Sequence, residues 1–149
     1  MPIDVYKVID DKLIYMNFSG DMTLLELERM VTVLLEIIES AEDTMCIHYI
    51  RDTGDVTDFP RNIPKVSKII QQVRSNPKMG WTITVNIPNA FLKYLTTFIG
   101  KLTRSREKSV DTLDEALEFL RDVDEVFSQL TGAVFDQKTL YFSTQNIRQ

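Results

Sequence analysis

A chain of 149 residues, 44% hydrophobic and 26% charged, can bury a core of its own, which sets aside disordered, fibrous and disulfide-stapled classes. The formal net charge is −5 and there is one cysteine; no apolar run approaches the roughly 20 residues of a membrane span, and residues 1–11 lack the basic-then-apolar order of a leader. These features predict one cytoplasmic domain without a transmembrane segment.

The charge is segregated along the chain. Residues 1–60 carry 13 acids and 4 bases, residues 61–108 carry 10 bases and a single acid, Glu107, and residues 109–149 carry 8 acids and 3 bases. Blocks of this kind either neutralise one another in the fold or give an anion-facing pole.

In chain order, Val5–Ile9 and Leu13–Ser19 read as two strands joined by a turn at Asp10-Asp11-Lys12, a hairpin. Thr23 and Glu26 form a capping box opening helix one, whose apolar positions Leu24, Leu27, Val31, Leu34 and Ile38 follow a 3.6-residue period. Leu25, Met30, Val33, Leu35 and Ile37 widen that face enough to predict contact with a partner subunit as well. Met45–Arg51 predicts a buried third strand, ending in a loop with Asp52, Gly54, Asp55, Asp58 and Pro60. Asn62 or Ile63 caps helix two, with Pro64 at its start and Val66, Ile69, Ile70 and Val73 inward.

Trp81–Ile87 is strand four, and Pro88-Asn89 leads into helix three, Ala90 to about Leu102, with Phe91, Leu95, Phe98 and Leu102 as its apolar stripe. A short fifth strand falls around Lys108–Val110. Thr112 and Glu115 form a second capping box before helix four, which either breaks near Asp122–Asp124 or runs through Phe127 and Leu130 to Gly132. Thr139–Thr144 reads as an extra strand.

This order predicts an α/β fold: a mixed, mostly parallel sheet of four to five strands, with an N-terminal β-hairpin and about four helices packed mainly on one face. Residues 1–131 form the domain and residues 132–149 a C-terminal appendix. Tyr15, Asn17, Thr82 and Thr84 are expected on a sheet face left free for a partner.

Two stretches are candidate sites. The first is the loop after strand three, with Asp52, Thr53, Asp55, Thr57, Asp58, Arg61 and Asn62, at the end of a parallel strand where open α/β sheets bind ligands. Asp52, Asp55 and Asp58 invite a divalent cation and metal-assisted hydrolysis, but their spacing matches no known metal loop and the same residues make turns. The second is helix three and its exit, where Phe91, Tyr94 and Phe98 lie among Lys93, Lys101, Arg104 and Arg106, the pattern of an interfacial helix. Its competing reading is an ordinary core helix with a solvated basic edge.

Asp10-Asp11, Asp52 and Lys108 imitate a phospho-acceptor receiver, but only Lys12 separates the acidic pair from a second strand where a helix is required. His48 is the single histidine, sits mid-strand, and has no visible nucleophile or second ligand. Ser67 and Thr53 are potential phosphorylation positions. No P-loop, dinucleotide fingerprint, nucleophile elbow or HExxH motif occurs, and no nucleic-acid module is present. An enzyme, a cofactor, a structural metal and a nucleic-acid partner are therefore not expected.

The FSGDMT turn at Phe18–Thr23, IRDTGDVTDFP at Ile50–Pro60, GWTITV at Gly80–Val85 and DTLDEALEFL at Asp111–Leu120, in that order, resemble the STAS superfamily and its SpoIIAA-like proteins over roughly residues 4–124. The resemblance implies a four- to five-stranded mixed sheet and regulatory binding in place of catalysis. It also implies a serine switch at the start of the helix after strand three. Aligned on Val56-Thr57, that position falls on Arg61 or Asn62, neither of which accepts phosphate as serine does. The expected function is thus a regulatory domain that binds a protein partner or itself. The alternative is binding of a lipid-like or anionic small molecule, at a membrane surface or beneath helix three as in CRAL-TRIO-like carriers of similar fold.

Overall fold

The computed structural model describes residues 3–9, 12–41, 47–103 and 106–144. Asp10-Asp11, Met45, Cys46 and Arg104 lie outside the described residues, as do the side chains of Ile99 and Leu102.

β1 (Ile3–Ile9) and β2 (Leu13–Asp21) form the expected antiparallel hairpin, with Val5 opposite Met16. Thr23 Oγ1 accepts from the Glu26 amide at 3.2 Å to open α1 (Leu24–Ser40), and the far end of α1 is met by Lys78 Nζ, which donates to Ile38 O and Ala41 O. The second apolar stripe of α1, Met30, Val33 and Ile37, is buried in the chain's own core. These three therefore cannot reach a partner subunit; of the other residues expected to widen the face, Leu35 is partly buried and Leu25 is 60% exposed.

β3 runs from Ile47 to Asp58, seven residues past the expected stop at Arg51. Its register with β2 explains the extension. Leu13 to Asn17 pair in parallel with His48 to Asp52, and Ser19, Gly20 and Asp21 then pair with Asp55, Val56 and Asp58. β4 (Met79–Val85) accompanies β3 only as far as Asp52, so the outer part of β3 continues as a two-stranded ribbon with β2. α2 (Ile63–Arg74) is capped by Asn62, whose Oδ1 accepts from the Lys65 amide, and α3 (Ala90–Thr103) by Asn89, whose Oδ1 accepts from the Leu92 amide. β5 (Glu107–Ser109) adds to β4 in parallel.

α4 (Leu113–Val123) breaks where one of the two expectations put it. Asp124 ends it and caps a 3₁₀ turn, Glu125–Phe127. α5 (Gly132–Asp136) and β6 (Thr139–Ser143) follow, and β6 pairs antiparallel with β1. Among the described residues the result is a mixed six-stranded sheet, ordered β5-β4-β3-β2-β1-β6, with five α-helices.

α1, α2 and α3 cover one face, where Ile14, Met16, Phe18 and Tyr49 pack with Leu34, Ile70 and Leu95. On the other, Leu13, Tyr15, Ile50, Ile83 and Val85 meet Leu117 and Leu120 of α4, with Phe127, Leu130 and Phe135 beyond. The expectation of a free sheet face is therefore corrected. Tyr15 is buried under α5, while Thr82 and Thr84 are buried on the opposite face. The apolar residues of the short elements after α4 supply the second cover. Among the described residues no helix is long and apolar enough to cross a membrane.

Candidate functional site

The loop residues named from sequence lie along the outer part of β3 and the turn into α2, at the C-terminal end of the parallel strands. Asp52 is held inward. Its carboxylate accepts from the Tyr15 hydroxyl at 2.7 Å, from the Gly54 amide at 3.0 Å and from Asn86 Nδ2 at 3.3 Å. Asn86 adopts the left-handed region (φ 57°), and a Cβ at Gly54 would stand 3.1 Å from Asn86 Cβ, so the close approach of β3 to the turn after β4 favours glycine there. Burial first, and the Asp52 carboxylate second, push the Tyr15 phenol above its ordinary value. Thr53 Oγ1 turns back to Val85 O.

The three aspartates do not converge. An extended strand advances about 10 Å in three residues, so Asp52, Asp55 and Asp58 are strung out along the ribbon. Asp55 is exposed and Asp58 accepts from the Phe59 amide. Among the described residues no three His, Cys, Asp or Glu side chains gather as a metal would need.

Farther along, Thr57 Oγ1 donates to Asp21 Oδ1 at 2.6 Å, and Arg61 lies 3.8 Å from Asp58 and over the Phe91 ring at 5.2 Å. Thr57, Asp58, Arg61 and Phe91 thereby line one cleft of about 340 Å³, with Phe59 and Leu92 at its inner wall. The structure brings these residues of the two sequence-named stretches together and leaves Asn62 as a helix cap.

α3 turns inward only part of the apolar stripe expected from spacing. Leu92 and Leu95 are buried, while Phe91 and Tyr94 are 43% and 59% exposed. Phe98 is half-buried and stacks on Tyr94 at 5.8 Å between centroids, and Lys93 and Lys101 are exposed beside them. Arg106 is exposed at the entry to β5, where its carbonyl accepts from the Thr82 amide.

Sequence reasoning passed over a buried ionic cluster. Arg51, 8% exposed on β3, lies beneath α2 and α3 and donates through Nη2 to Thr84 Oγ1 at 3.0 Å and to Glu107 Oε1 at 3.4 Å. Arg74, from the last turn of α2, reaches the same Glu107 oxygen, with its side chain 2% exposed. Burial pulls the Arg51 guanidinium below its usual value, Arg74 adds to the pull, and Glu107 opposes it. The signal was available: Arg51 is a cation inside an apolar strand, and Glu107 is the one acid in the basic block 61–108.

His48 is a core group. Its Nδ1 accepts from the Trp81 amide at 2.8 Å, its Nε2 lies 3.6 Å from Asp124, and its ring meets the Phe127 edge. Burial lowers its pKa from 6.5, against the pull of Asp124.

No family model and no curated protein matches the chain. Solved structures do. An uncharacterized protein of the DUF3478 family from Shewanella loihica, with a SpoIIAA-like fold, is similar at a TM-score of 0.57 and 12% identity, over 79% of this chain and 93% of that one. The anti-sigma factor antagonist SpoIIAA in its unphosphorylated form is similar at a TM-score of 0.50 and 11% identity, over 79% and 97%. The fold of this chain is SpoIIAA-like.

Proposed function

We propose that the chain is a non-catalytic, cytoplasmic regulatory domain of the STAS type that binds a protein partner or a second copy of itself. The observation that carries this reading is the exposure of Phe91 beside Arg61, Thr57 and Asp58 at one end of the sheet, with Tyr94 exposed three residues further along α3. An aromatic pair next to an arginine on a rigid helix and strand frame is the composition of an interaction hot spot. The likeness to an anti-sigma factor antagonist supports a regulatory role at the level of fold.

The start of α2 is set by Asn62 as its cap, and Ser67 lies more than a turn further in. Association is therefore governed by occupancy of the surface and not by phosphorylation at that helix start. Native mass spectrometry and size-exclusion chromatography of the wild type and of Phe91→Asp/Tyr94→Asp test the reading. A complex in the wild type that the variant loses, with fold retained by circular dichroism, is the expected result. A wild type that is monomeric at high concentration and retains no protein partner argues against it.

A second reading, recognition of an acyl or anionic small molecule, is favoured by the stacked Tyr94–Phe98 pair flanked by Lys93 and Lys101. In its membrane-surface form, Lys93→Glu/Lys101→Glu abolishes salt-sensitive binding to anionic vesicles. Unchanged binding in the variant, or none in the wild type, removes that form.

A further inference from the structure

Lys138 holds its ammonium among three aromatic rings. Nζ lies 4.4 Å from the centroid of Phe135, 5.2 Å from that of Tyr6 and 5.6 Å from that of Tyr15. The rings enclose it from different directions: Tyr15 meets Phe135 edge-on at 4.9 Å and Tyr6 at a tilt of 44°. Tyr6 and Tyr15 are paired across β1 and β2, and Phe135 is set over them by α5. The turn after α5, closed by the Lys138 amide on Phe135 O at 3.1 Å, carries the lysine back over the rings.

Among the described residues no ion pair or side-chain hydrogen bond engages this ammonium, although the chain is net acidic. The ring faces hold it, since a cation within about 6 Å of a centroid is drawn to the negative face of the ring. Tyr15 adds to the pull. Its hydroxyl donates to Asp52 at 2.7 Å, and a phenol bonded to a carboxylate has a more electron-rich ring. Burial and Asp52 together keep that phenol protonated.

A lysine is not the cation that suits this cage best. Its ammonium carries three N–H donors, and ring faces are poor acceptors for them. A quaternary ammonium has no N–H to leave unsatisfied, and its methyl groups bury against the same faces. Phe135 and Tyr15 are 4% and 8% exposed, whereas Tyr6 and Lys138 are half-buried. The cage therefore has a closed inner wall and a mouth, and the lysine stem fills the mouth.

We propose that Tyr6, Tyr15 and Phe135 form a binding site for a small quaternary ammonium compound, with Lys138 as an internal competitor that swings out when the ligand enters. The site lies on the α4 and α5 face of the sheet, opposite α3, and is independent of the surface around Phe91.

The probes are choline and dimethylbutanol, its uncharged carbon analogue of the same shape, followed by isothermal titration. Choline binds roughly tenfold or more tightly than the alcohol. Lys138→Ala removes the competitor and tightens choline by a similar factor, a gain that loss of fold cannot imitate. Tyr6→Leu, with fold retained by circular dichroism, keeps an apolar wall and weakens choline towards the affinity of the alcohol. Equal affinity for the two probes, no gain in Lys138→Ala, or undiminished binding in Tyr6→Leu overturns the proposal. So does a failure of choline to bind both the wild type and Lys138→Ala. Phosphatidylcholine vesicles separate the sources of the cation. Vesicle binding that Tyr6→Leu abolishes assigns a lipid head group, and binding of choline without vesicle binding assigns a free solute; both carry the quaternary ammonium chemistry.

Discussion

Replacing Glu107 by glutamine removes the one carboxylate that Arg51 and Arg74 share and leaves two cations confined beneath α3. The side chains of Arg51, Glu107 and Arg74 are 10%, 12% and 2% exposed, so water screens this cluster little. Breaking a buried pair from one side costs about 3–5 kcal/mol, against about 0–1 kcal/mol for an exposed pair. For 149 residues the unfolding entropy near the midpoint is about 0.3 kcal/mol per kelvin, so the melting temperature falls by about 10–16 °C. Thermal and urea unfolding followed by circular dichroism at neutral pH measure this. The control is Glu107→Gln/Arg51→Met, which removes one of the stranded cations. It recovers more than about 1 kcal/mol relative to adding the two single losses, because the groups are coupled. A Glu107→Gln loss under about 1 kcal/mol, or strict additivity in the double variant, refutes the account of these three residues as one buried ionic unit.

Gly100→Ala tests the same unit from the helix side. Alanine gains about 1 kcal/mol in helix propensity, but its Cβ meets Glu107 Oε2, and two arginines hold that carboxylate in place. A net loss of about 1–3 kcal/mol in urea unfolding is expected, and a neutral or stabilising outcome contradicts it. Tyr15→Phe removes the 2.7 Å bond to Asp52 while keeping the edge contact with Phe135 at 4.9 Å. A loss of about 1.5–3 kcal/mol is expected, and less than about 0.5 kcal/mol would show Asp52 satisfied without it. His48 sets a pH dependence: the unfolded chain takes up the proton near pH 6.5 and the folded chain only below that. Stability is therefore full above pH 6.5 and declines as pH falls toward the folded value. The urea midpoint drops between pH 7.5 and 5.5 in the wild type and drops less in His48→Gln; a flat wild-type profile counts against the buried neutral imidazole.

Much of the fold was legible because local chemistry and global pattern agree. Thr23–Glu26 and Thr112–Glu115 marked the starts of α1 and α4, and each threonine accepts the amide it was assigned. The lack of alternation in Met45–Arg51 declared a central strand, and Ile47–Ile50 are buried on both sides. Where the reading failed, a distant partner overrode a local signal. Asp55 and Asp58 have turn chemistry, yet Ser19 and Asp21 of β2 hold them in a ladder. Phe127 and Leu130 continue the apolar spacing of α4, but the helix breaks at Asp124, so the cover that they and Phe135 form over Tyr15 and Ile50 was not visible from spacing. In the candidate site, Arg61 and Phe91 were both named, but their contact joins residues thirty apart in sequence and only the fold could supply it. Arg51 was read as the end of a strand, although a cation in an apolar strand and a lone acid in a basic block were both visible, because only the fold brings residues 51 and 107 together.

The pairing of β1 with β6 bears on how the chain matures as it is made. Ile3 donates to Thr144 Oγ1, and Ser143 donates to Asp4 at 2.5 Å, so the first strand is completed by nearly the last residues described. On a ribosome the β1–β2 hairpin emerges early, but the outer edge of β1 keeps its amides and carbonyls unpaired until residues 139–143 arrive. Throughout that interval the nascent chain offers an open template to neighbouring chains, and loop closure across almost the whole sequence must precede its protection. A protein built this way depends on synthesis outpacing encounter, or on a chaperone that shields one strand while the rest of the sheet assembles.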